Sequence, residues 1–121
     1  MSFNVQTLLS EKARKYGVSE SSSTFQQAFL DALNYALNDI DERLGLTTAA
    51  VTSTVGTVAL DEQGYRQIIS MGIDVHLGDG GQWNVEGLAN VLARYQDKLK
   101  YVHMNYLKTL DLGVKFGALE D

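Results

Sequence analysis

The two histidines, His76 and His103, are the side chains best suited to transfer protons near neutral pH or to hold a metal ion. They fall in different predicted helices, and neither has a glutamate or a cysteine at the spacing that a zinc site requires. Asp74 lies two positions before His76, so the two side chains point to different faces of one helix. We therefore interpret both histidines as ordinary helix residues and predict no metal site.

Three further groupings could carry chemistry, and each has a simpler explanation. Asp39, Asp41 and Glu42 fall within a predicted helix and lack the central glycine of a calcium loop, so we interpret them as a solvated helix end. The glycines of residues 78–81 follow a helix and lack the Lys-Ser/Thr of a phosphate loop, which indicates a turn. The serines of residues 21–23 are explained by helix capping. Because the chain also lacks cysteine, we expect no enzyme and no cofactor.

The net charge of -5 is unevenly distributed along the chain. Residues 16–93 contain Arg43 and Arg66 against ten acidic residues, and both ends are mildly basic. Tight DNA binding requires Lys and Arg to neutralise phosphates, so this acidic belt argues against it, although not against DNA passing by. The first residues do not resemble a signal peptide, and no stretch approaches the about 18 apolar residues of a membrane helix. We expect an intracellular protein without a membrane segment.

The first two helices are predicted from apolar spacing in a chain that has no proline to interrupt them. The first covers about residues 3–16 and is ended by Gly17. The second begins in the serine run, where Ser23 and Gln26 fit a capping box, and it ends at Gly45. It is apolar around most of its circumference, which is typical of the centre of a bundle.

The third and fourth helices follow from the same kind of pattern. The third is predicted from an N-cap at Asp61 to Gly78, and Gly72 within it would permit close packing. The fourth is predicted from about Val85 to Leu110. Its apolar stripe alternates steps of four and three, which is typical of packing along a neighbouring helix: Leu88, Leu92, Tyr95, Leu99, Val102 and Tyr106. We expect this stripe to pack on the second helix, with an intermolecular coiled coil as the alternative.

Two segments do not fit a self-contained bundle. Residues 46–60 carry no charge and are rich in threonine and valine, which predicts extended or β structure. We expect this segment to dock on a neighbouring chain, with a hairpin folded on its own bundle as the alternative. The tail, residues 111–121, has apolar residues at a period of two and is expected to bind a partner in extended form, with fraying as the alternative. The predicted contact residues are Val51, Val55, Val58, Leu112, Val114, Phe116 and Leu119.

Together these elements define the expected fold class. The chain is predicted to be mainly α, a small bundle of about four helices with an extended or β-like loop at 46–60 and an extended C-terminal tail. One domain, residues 1–110, contains the bundle and the loop, and residues 111–121 form the tail.

The order of these elements resembles the head-tail adaptor (connector) proteins of tailed bacteriophages. The likeness rests on element order and lengths across nearly the whole chain. Its parts are a short N-terminal helix, a capped central helix ending in Leu44-Gly45, the uncharged Val/Thr-rich insertion, the run Leu60-Asp61-Glu62-Gln63-Gly64-Tyr65 before the third helix, and a long final helix with an extended tail.

This resemblance implies a structural virion protein at the head-tail interface, assembled in the host cytoplasm as a ring of about a dozen copies beneath the portal protein. Residues 46–60 would contact neighbouring subunits or the next neck protein, and residues 111–121 would contact the portal. The acidic belt would line a channel through which DNA passes without being bound. Two alternatives stay open: another neck component, such as a stopper or tail-completion protein, and a small helical regulator that binds nucleic acid through Arg94, Lys98, Lys100 and Lys108.

Overall fold

A computed structural model describes residues 2–46, 48–59, 65–80 and 96–112 of the chain. This described part contains four helices and one small antiparallel sheet. In chain order the elements are β1 (Ser2–Asn4), α1 (Val5–Tyr16), α2 (Ser23–Leu44), β2 (Thr57–Ala59), α3 (Tyr65–Gly80) and α4 (Gln96–Leu112). The predicted fold class, mainly α with about four helices, is confirmed.

Glycines end the first two helices as the sequence predicts. Gly17 and Gly45 both have φ of 68°, the left-handed conformation that glycine adopts without steric strain. α1 begins later than predicted because Ser2–Asn4 pairs as a strand. The cap of α2 is Ser22 and not Ser23, since the Ser22 hydroxyl accepts a hydrogen bond from the backbone N–H three residues later at 3.2 Å.

The last two helices extend further than predicted at their C-terminal ends. α3 continues two residues past Gly78, and α4 includes Asp111 and Leu112, which the sequence assigned to the tail. α4 therefore ends two residues beyond the predicted end of the helical bundle at residue 110. The predicted cap Asp61, the segment 85–95 of the predicted fourth helix and the tail beyond Leu112 lie outside the described residues.

α3 packs against both α2 and α4, and the three helices come close together at Gly72. A Cβ atom added at Gly72 would lie 2.6 Å from Ala36 Cβ on α2 and 2.9 Å from Tyr106 Cζ on α4. The predicted role of Gly72 in close packing is confirmed. α4 packs mainly on α3 and only secondarily on α2, which corrects the expectation for its apolar stripe. The physical reason is that Gly72 has no side chain, which lets α3 lie close to both α2 and α4.

Residues 48–59 dock largely onto the chain's own bundle. The Asn34 side chain on α2 donates a hydrogen bond to Val51 O at 2.8 Å and accepts one from Val51 N at 2.7 Å. Thr48 N donates to Asp41 Oδ1 at 3.1 Å, and β2 pairs antiparallel with β1. Because backbone polar groups of this segment find partners within the chain, the alternative of folding on its own bundle describes it better than docking on a neighbour.

The core joins side chains from all four helices and from β2. Its largest fully buried members are Leu8, Leu9, Tyr16, Phe25, Phe29, Leu33, Ile40, Ile68, Ile69, Ile73, Leu77 and Tyr106. Burial of one large apolar side chain contributes roughly 1.5–3 kcal/mol to folding. The helix faces opposite this core are therefore the ones available to a partner.

Candidate interaction surface

The predicted contact residues of the 46–60 segment divide between core and surface. Val51 and Val58 are only 7% and 4% exposed and belong to the chain's own core. Their expected role as an interaction surface does not fit this burial, and the reason is the docking of the segment on α2 and β1. Val55 is 76% exposed, in a turn closed by a hydrogen bond from Gly56 N to Ser53 O at 3.1 Å. Of the three, Val55 alone has an exposed side chain.

The predicted contact residues of the tail fall at or beyond the end of the described part of the chain. Leu112 is the last residue of α4. Val114, Phe116 and Leu119 lie outside the described residues. Contact between the tail and a partner stays a prediction.

Large apolar side chains are exposed on two helices and at this turn. Tyr35 on α2 is 59% exposed, and Tyr101 and Met104 on α4 are 64% and 68% exposed, beside Val55 in the turn. Tyr35 lies on the polar side of α2. Tyr101 and Met104 lie outside the apolar stripe of α4. Tyrosine and methionine are enriched where proteins bind one another, so these positions are candidate contact sites.

A polar network joins α2, α3 and α4 beneath Tyr35. The His76 Nε2 and Tyr106 hydroxyl each lie 2.9 Å from Asp39 Oδ2. The Tyr35 ring lies over His76 with a centroid separation of 5.3 Å, and Tyr106 meets His76 edge-on at 6.4 Å. Asp39 is therefore part of an interhelix network and not of a solvated helix end, which corrects the sequence interpretation.

The network also changes the acidity of its members. Burial raises the pKa of Asp39, but the hydrogen bonds from His76 and Tyr106 outweigh it and hold that pKa below the usual 3.8. Burial raises the pKa of Tyr106 well above its ordinary 10.0, and the Asp39 carboxylate reinforces the rise. At neutral pH the arrangement is a carboxylate that accepts hydrogen bonds from a neutral phenol and from His76, which stabilises the helix contacts.

A second polar cluster joins α1 to α3. Lys12 Nζ, 6% exposed at its side chain, lies 3.0 Å from Asp74 Oδ1 and 2.8 Å from Ser70 Oγ. Lys15 Nζ and the Tyr16 hydroxyl also donate to Asp74, at 2.8 and 2.5 Å. Burial lowers the pKa of Lys12 below its usual 10.5, although the Asp74 carboxylate opposes this. The cluster places charged groups where they hold α1 against α3.

Two open clefts border α3. The larger, about 520 Å³, lies between α3 and α4, and its lining includes Leu99, His103 and Met104. The smaller, about 300 Å³, includes Glu11, Arg66 and Asp74. In the smaller cleft Arg66 Nη2 lies 2.9 Å from Glu11 Oε2, and Asp74 is held by the lysines, so these charged groups are already paired. The larger cleft continues the exposed surface around Met104.

Some of these residues carry a signal in the sequence. Lys12 occupies the helical spacing of the buried α1 face between Leu9 and Tyr16, so a buried lysine was detectable there. Tyr101 and Met104 could be recognised as apolar residues outside the α4 stripe. The partners of Asp39 gave no local signal, because His76 and Tyr106 are far away along the chain.

The fold and this surface define a mainly helical protein in which several described charged residues join one helix to another. Within the described residues, no three or more His, Asp or Glu side chains are grouped so that they could hold a metal ion. None of the described helices has both the length and the apolar character needed to cross a membrane. No protein-family model, curated protein or solved structure matches the chain.

Proposed function

We propose that this protein is a structural virion component of a tailed bacteriophage, the head-tail adaptor. It forms a ring beneath the portal, extends the DNA channel and provides the docking surface for the next neck or tail component. The proposal is supported by the element order of the sequence, which resembles that family, and by a helical bundle with a short sheet and a projecting turn.

The observation that carries the proposal is the distribution of exposed apolar side chains over separate elements. Tyr35 lies on α2, Val55 lies in the turn before β2, and Tyr101 and Met104 lie on α4. A ring subunit needs different surfaces for its two neighbours and further surfaces for the proteins above and below the ring. Exposed apolar groups on three elements suit such a subunit.

The charge distribution suits a channel through which DNA passes. Glu20, just before α2, is exposed within the acidic belt of residues 16–93. Like charge disfavours adhesion of the phosphate backbone to such a surface. Neutralising the exposed carboxylates of the belt is expected to leave folding intact and to impair genome ejection.

The decisive experiment is co-expression with the portal protein of the same phage. We expect a joint ring in electron micrographs and co-elution of the two proteins at a fixed ratio. Expression with the portal of an unrelated phage is the control. Absence of a joint ring with the cognate portal would rule out the adaptor assignment. Binding only to a preformed portal-adaptor complex would instead identify another neck component, such as a stopper or tail-completion protein.

A second candidate is a small helical regulator that binds nucleic acid, favoured by the exposure of Lys98, Lys100 and Lys108 on α4. Arg94 of the same predicted set lies outside the described residues. Asp97 and Asp111 share the helix and reduce its positive charge. This candidate requires DNA binding that persists at physiological ionic strength and weakens steeply with added salt. The adaptor requires portal binding without such affinity.

A further inference from the structure

Two exposed stripes on different helices of this chain have complementary character. The first, called the α2 stripe, consists of Asp31, Tyr35, Asn38 and Glu42. Its steps of four, three and four residues place these side chains on one face of the helix. An exposed tyrosine thus lies between two exposed carboxylates.

The second, called the α4 stripe, consists of Lys98, Tyr101, Met104 and Lys108. Steps of three, three and four residues again place them on one side of a helix. Here two exposed apolar side chains lie between two exposed lysines. Asp97 precedes the stripe, and Asp111 beyond it is already paired with Arg43 of α2.

We propose that the α2 stripe of one copy packs against the α4 stripe of a second copy of this chain. The inference rests on the proposed function, because it names the surfaces through which adaptor subunits would join. The contact is head-to-tail: each copy offers its α2 stripe to one neighbour and its α4 stripe to the other. Repetition of such a contact closes a ring or extends a filament.

The two stripes match in length as well as in charge. Asp31 and Glu42 are eleven residues apart, which is about 16 Å along the helix at 1.5 Å per residue. Lys98 and Lys108 are ten residues apart, which is about 15 Å. Both carboxylates can therefore face lysines while Tyr35 covers the apolar centre of the partner stripe. Tyrosine beside methionine buries apolar area at the centre, and the charged pairs form the rim.

Charge also selects against the symmetric arrangements. Packing two α4 stripes together would place lysines against lysines, and packing two α2 stripes would place Asp31 and Glu42 against carboxylates. Like charges across an interface suppress such pairings and opposite charges favour the head-to-tail one. The surface that matches the α2 stripe of one copy is therefore the α4 stripe of another copy.

The two stripes do not meet within one molecule. α4 turns Tyr106 inward, where its hydroxyl donates to Asp39. Tyr101 lies five residues earlier, which is about 140° around the helix, so the α4 stripe faces away from α2. Tyr101 and Met104 accordingly stay 64% and 68% exposed. A second copy can cover them without any rearrangement of the bundle.

The absence of cysteine from the chain allows a direct crosslinking test, since an introduced thiol is the only one present. One protein carries Tyr35→Cys, and a second, distinguished by an affinity tag, carries Met104→Cys. After mixing and mild oxidation we expect the mixed disulfide dimer in about tenfold excess over either homodimer. Thr52→Cys, an exposed position outside both stripes, replaces Tyr35→Cys in the control. Equal yields of mixed dimer and control dimer would overturn the proposal.

Charge reversal provides the second arm. Glu42→Lys in the Tyr35→Cys protein and Lys108→Glu in the Met104→Cys protein are each expected to lower the crosslinking yield about two- to fivefold. Mixing the two changed proteins restores the opposite charges and the yield when Glu42 faces Lys108, and Lys98→Glu takes the place of Lys108→Glu for the reversed direction of the helices. Circular dichroism checks that each exposed substitution leaves the fold intact. Recovery with neither lysine variant would overturn the pairing of these stripes.

The portal experiment separates this inference from the proposed function. Mixed crosslinks without a joint portal ring would contradict the adaptor assignment and keep the stripe contact. A joint ring with no preference for the mixed crosslink would contradict the stripe contact and keep the adaptor assignment.

Discussion

Gly72 is the residue at which α3 comes close to both α2 and α4. A Cβ atom there would lie 2.6 Å from Ala36 Cβ and 2.9 Å from the Tyr106 hydroxyl oxygen. Ala36 has no side-chain torsion through which to move away. Overpacking typically costs about 1–3 kcal/mol, and the better helix propensity of alanine offsets roughly 1 kcal/mol of that. We expect Gly72→Ala to lower the free energy of unfolding by about 1–2 kcal/mol.

The matched control for this change is Gly78→Ala on the same helix. Its Cβ would lie 2.8 Å from Leu99 Cδ1, the far end of a flexible side chain that can rotate. This variant should be neutral or stabilised by up to about 1 kcal/mol. Urea denaturation followed by circular dichroism measures both, and equal stabilities of the two variants would contradict the close approach at Gly72.

Asp74 illustrates how much a buried charge depends on its partners. It accepts from Tyr16 and Lys15 and lies 3.0 Å from Lys12, whose side chain is 6% exposed. Asp74→Ala leaves the lysine buried without its carboxylate, so we expect a loss of about 3–5 kcal/mol in the free energy of unfolding. Glu11→Ala removes the exposed partner of Arg66 and should cost at most about 1 kcal/mol. Similar losses in the two variants would disprove the special role of the buried pair.

Tyr106 should make the stability depend on alkaline pH. Its pKa in the folded protein is raised above the ordinary 10.0, so the phenol keeps its proton after the unfolded chain has lost it. Its contribution is therefore complete below pH 10 and falls as the pH rises towards the folded pKa. The stability difference between the wild type and Tyr106→Phe should be about 1 kcal/mol at pH 7 and decrease above pH 10. Denaturation from pH 7 to 11 measures it, and a constant difference would refute the shift.

At the scale of elements, the helices were predictable because their signals are local. Apolar spacing predicted α1 and α2, and Gly17 and Gly45 predicted where they end. In the structure both glycines have a φ of 68°. The strand pairing of Ser2–Asn4 with Thr57–Ala59 was not predictable, since it depends on residues distant in the chain. A run of three residues carries too little periodicity to reveal a strand by itself.

The candidate surface was predictable only in part for the same reason. Val55 was identified from its neutral segment, but nothing local distinguishes it from Val51, which turns inward because Asn34 binds its backbone. Exposure depends on which partner an element finds in the fold. Sequence pattern alone therefore does not separate the exposed Val55 from the buried Val51 and Val58 of the same segment.

Asn34 should hold residues 48–59 onto α2. Its amide both donates to and accepts from the backbone of Val51, as a neighbouring strand would. Asn34→Ala should lower the free energy of unfolding by about 1–3 kcal/mol and speed hydrogen exchange at the Val51 amide. Asn38→Ala, an exposed position on the same helix, should change neither. Unchanged exchange at Val51 in Asn34→Ala would show that other contacts fix the segment.

At the scale of the whole molecule, the neutral segment divides between side chains that build the core and one that stays exposed. Val51 and Val58 are buried in the core, and Asn34 and the β1 strand hydrogen-bond to backbone groups of the segment. What remains exposed is a turn with Val55 at its tip. The uncharged composition that predicted a free arm is thus explained in large part by folding, and the proposed assembly role falls to fewer side chains. Substitutions can therefore test folding and assembly separately.

Val55→Asp and Val58→Asp make this separation measurable. Val55 is 76% exposed and Val58 is 4% exposed. Val55→Asp should therefore change the free energy of unfolding by at most about 0.5 kcal/mol. Val58→Asp should lower it by more than about 4 kcal/mol, because it buries a charge. If the turn docks a neck partner, Val55→Asp should also reduce the yield of joint rings with the portal about tenfold, the effect of losing about 1.4 kcal/mol of contact energy. Thr52→Asp, exposed in the same segment, is the control for added charge. Normal ring yield from a folded Val55→Asp protein would remove the turn from the assembly surface, and the stripes of α2 and α4 would then carry the subunit contacts alone.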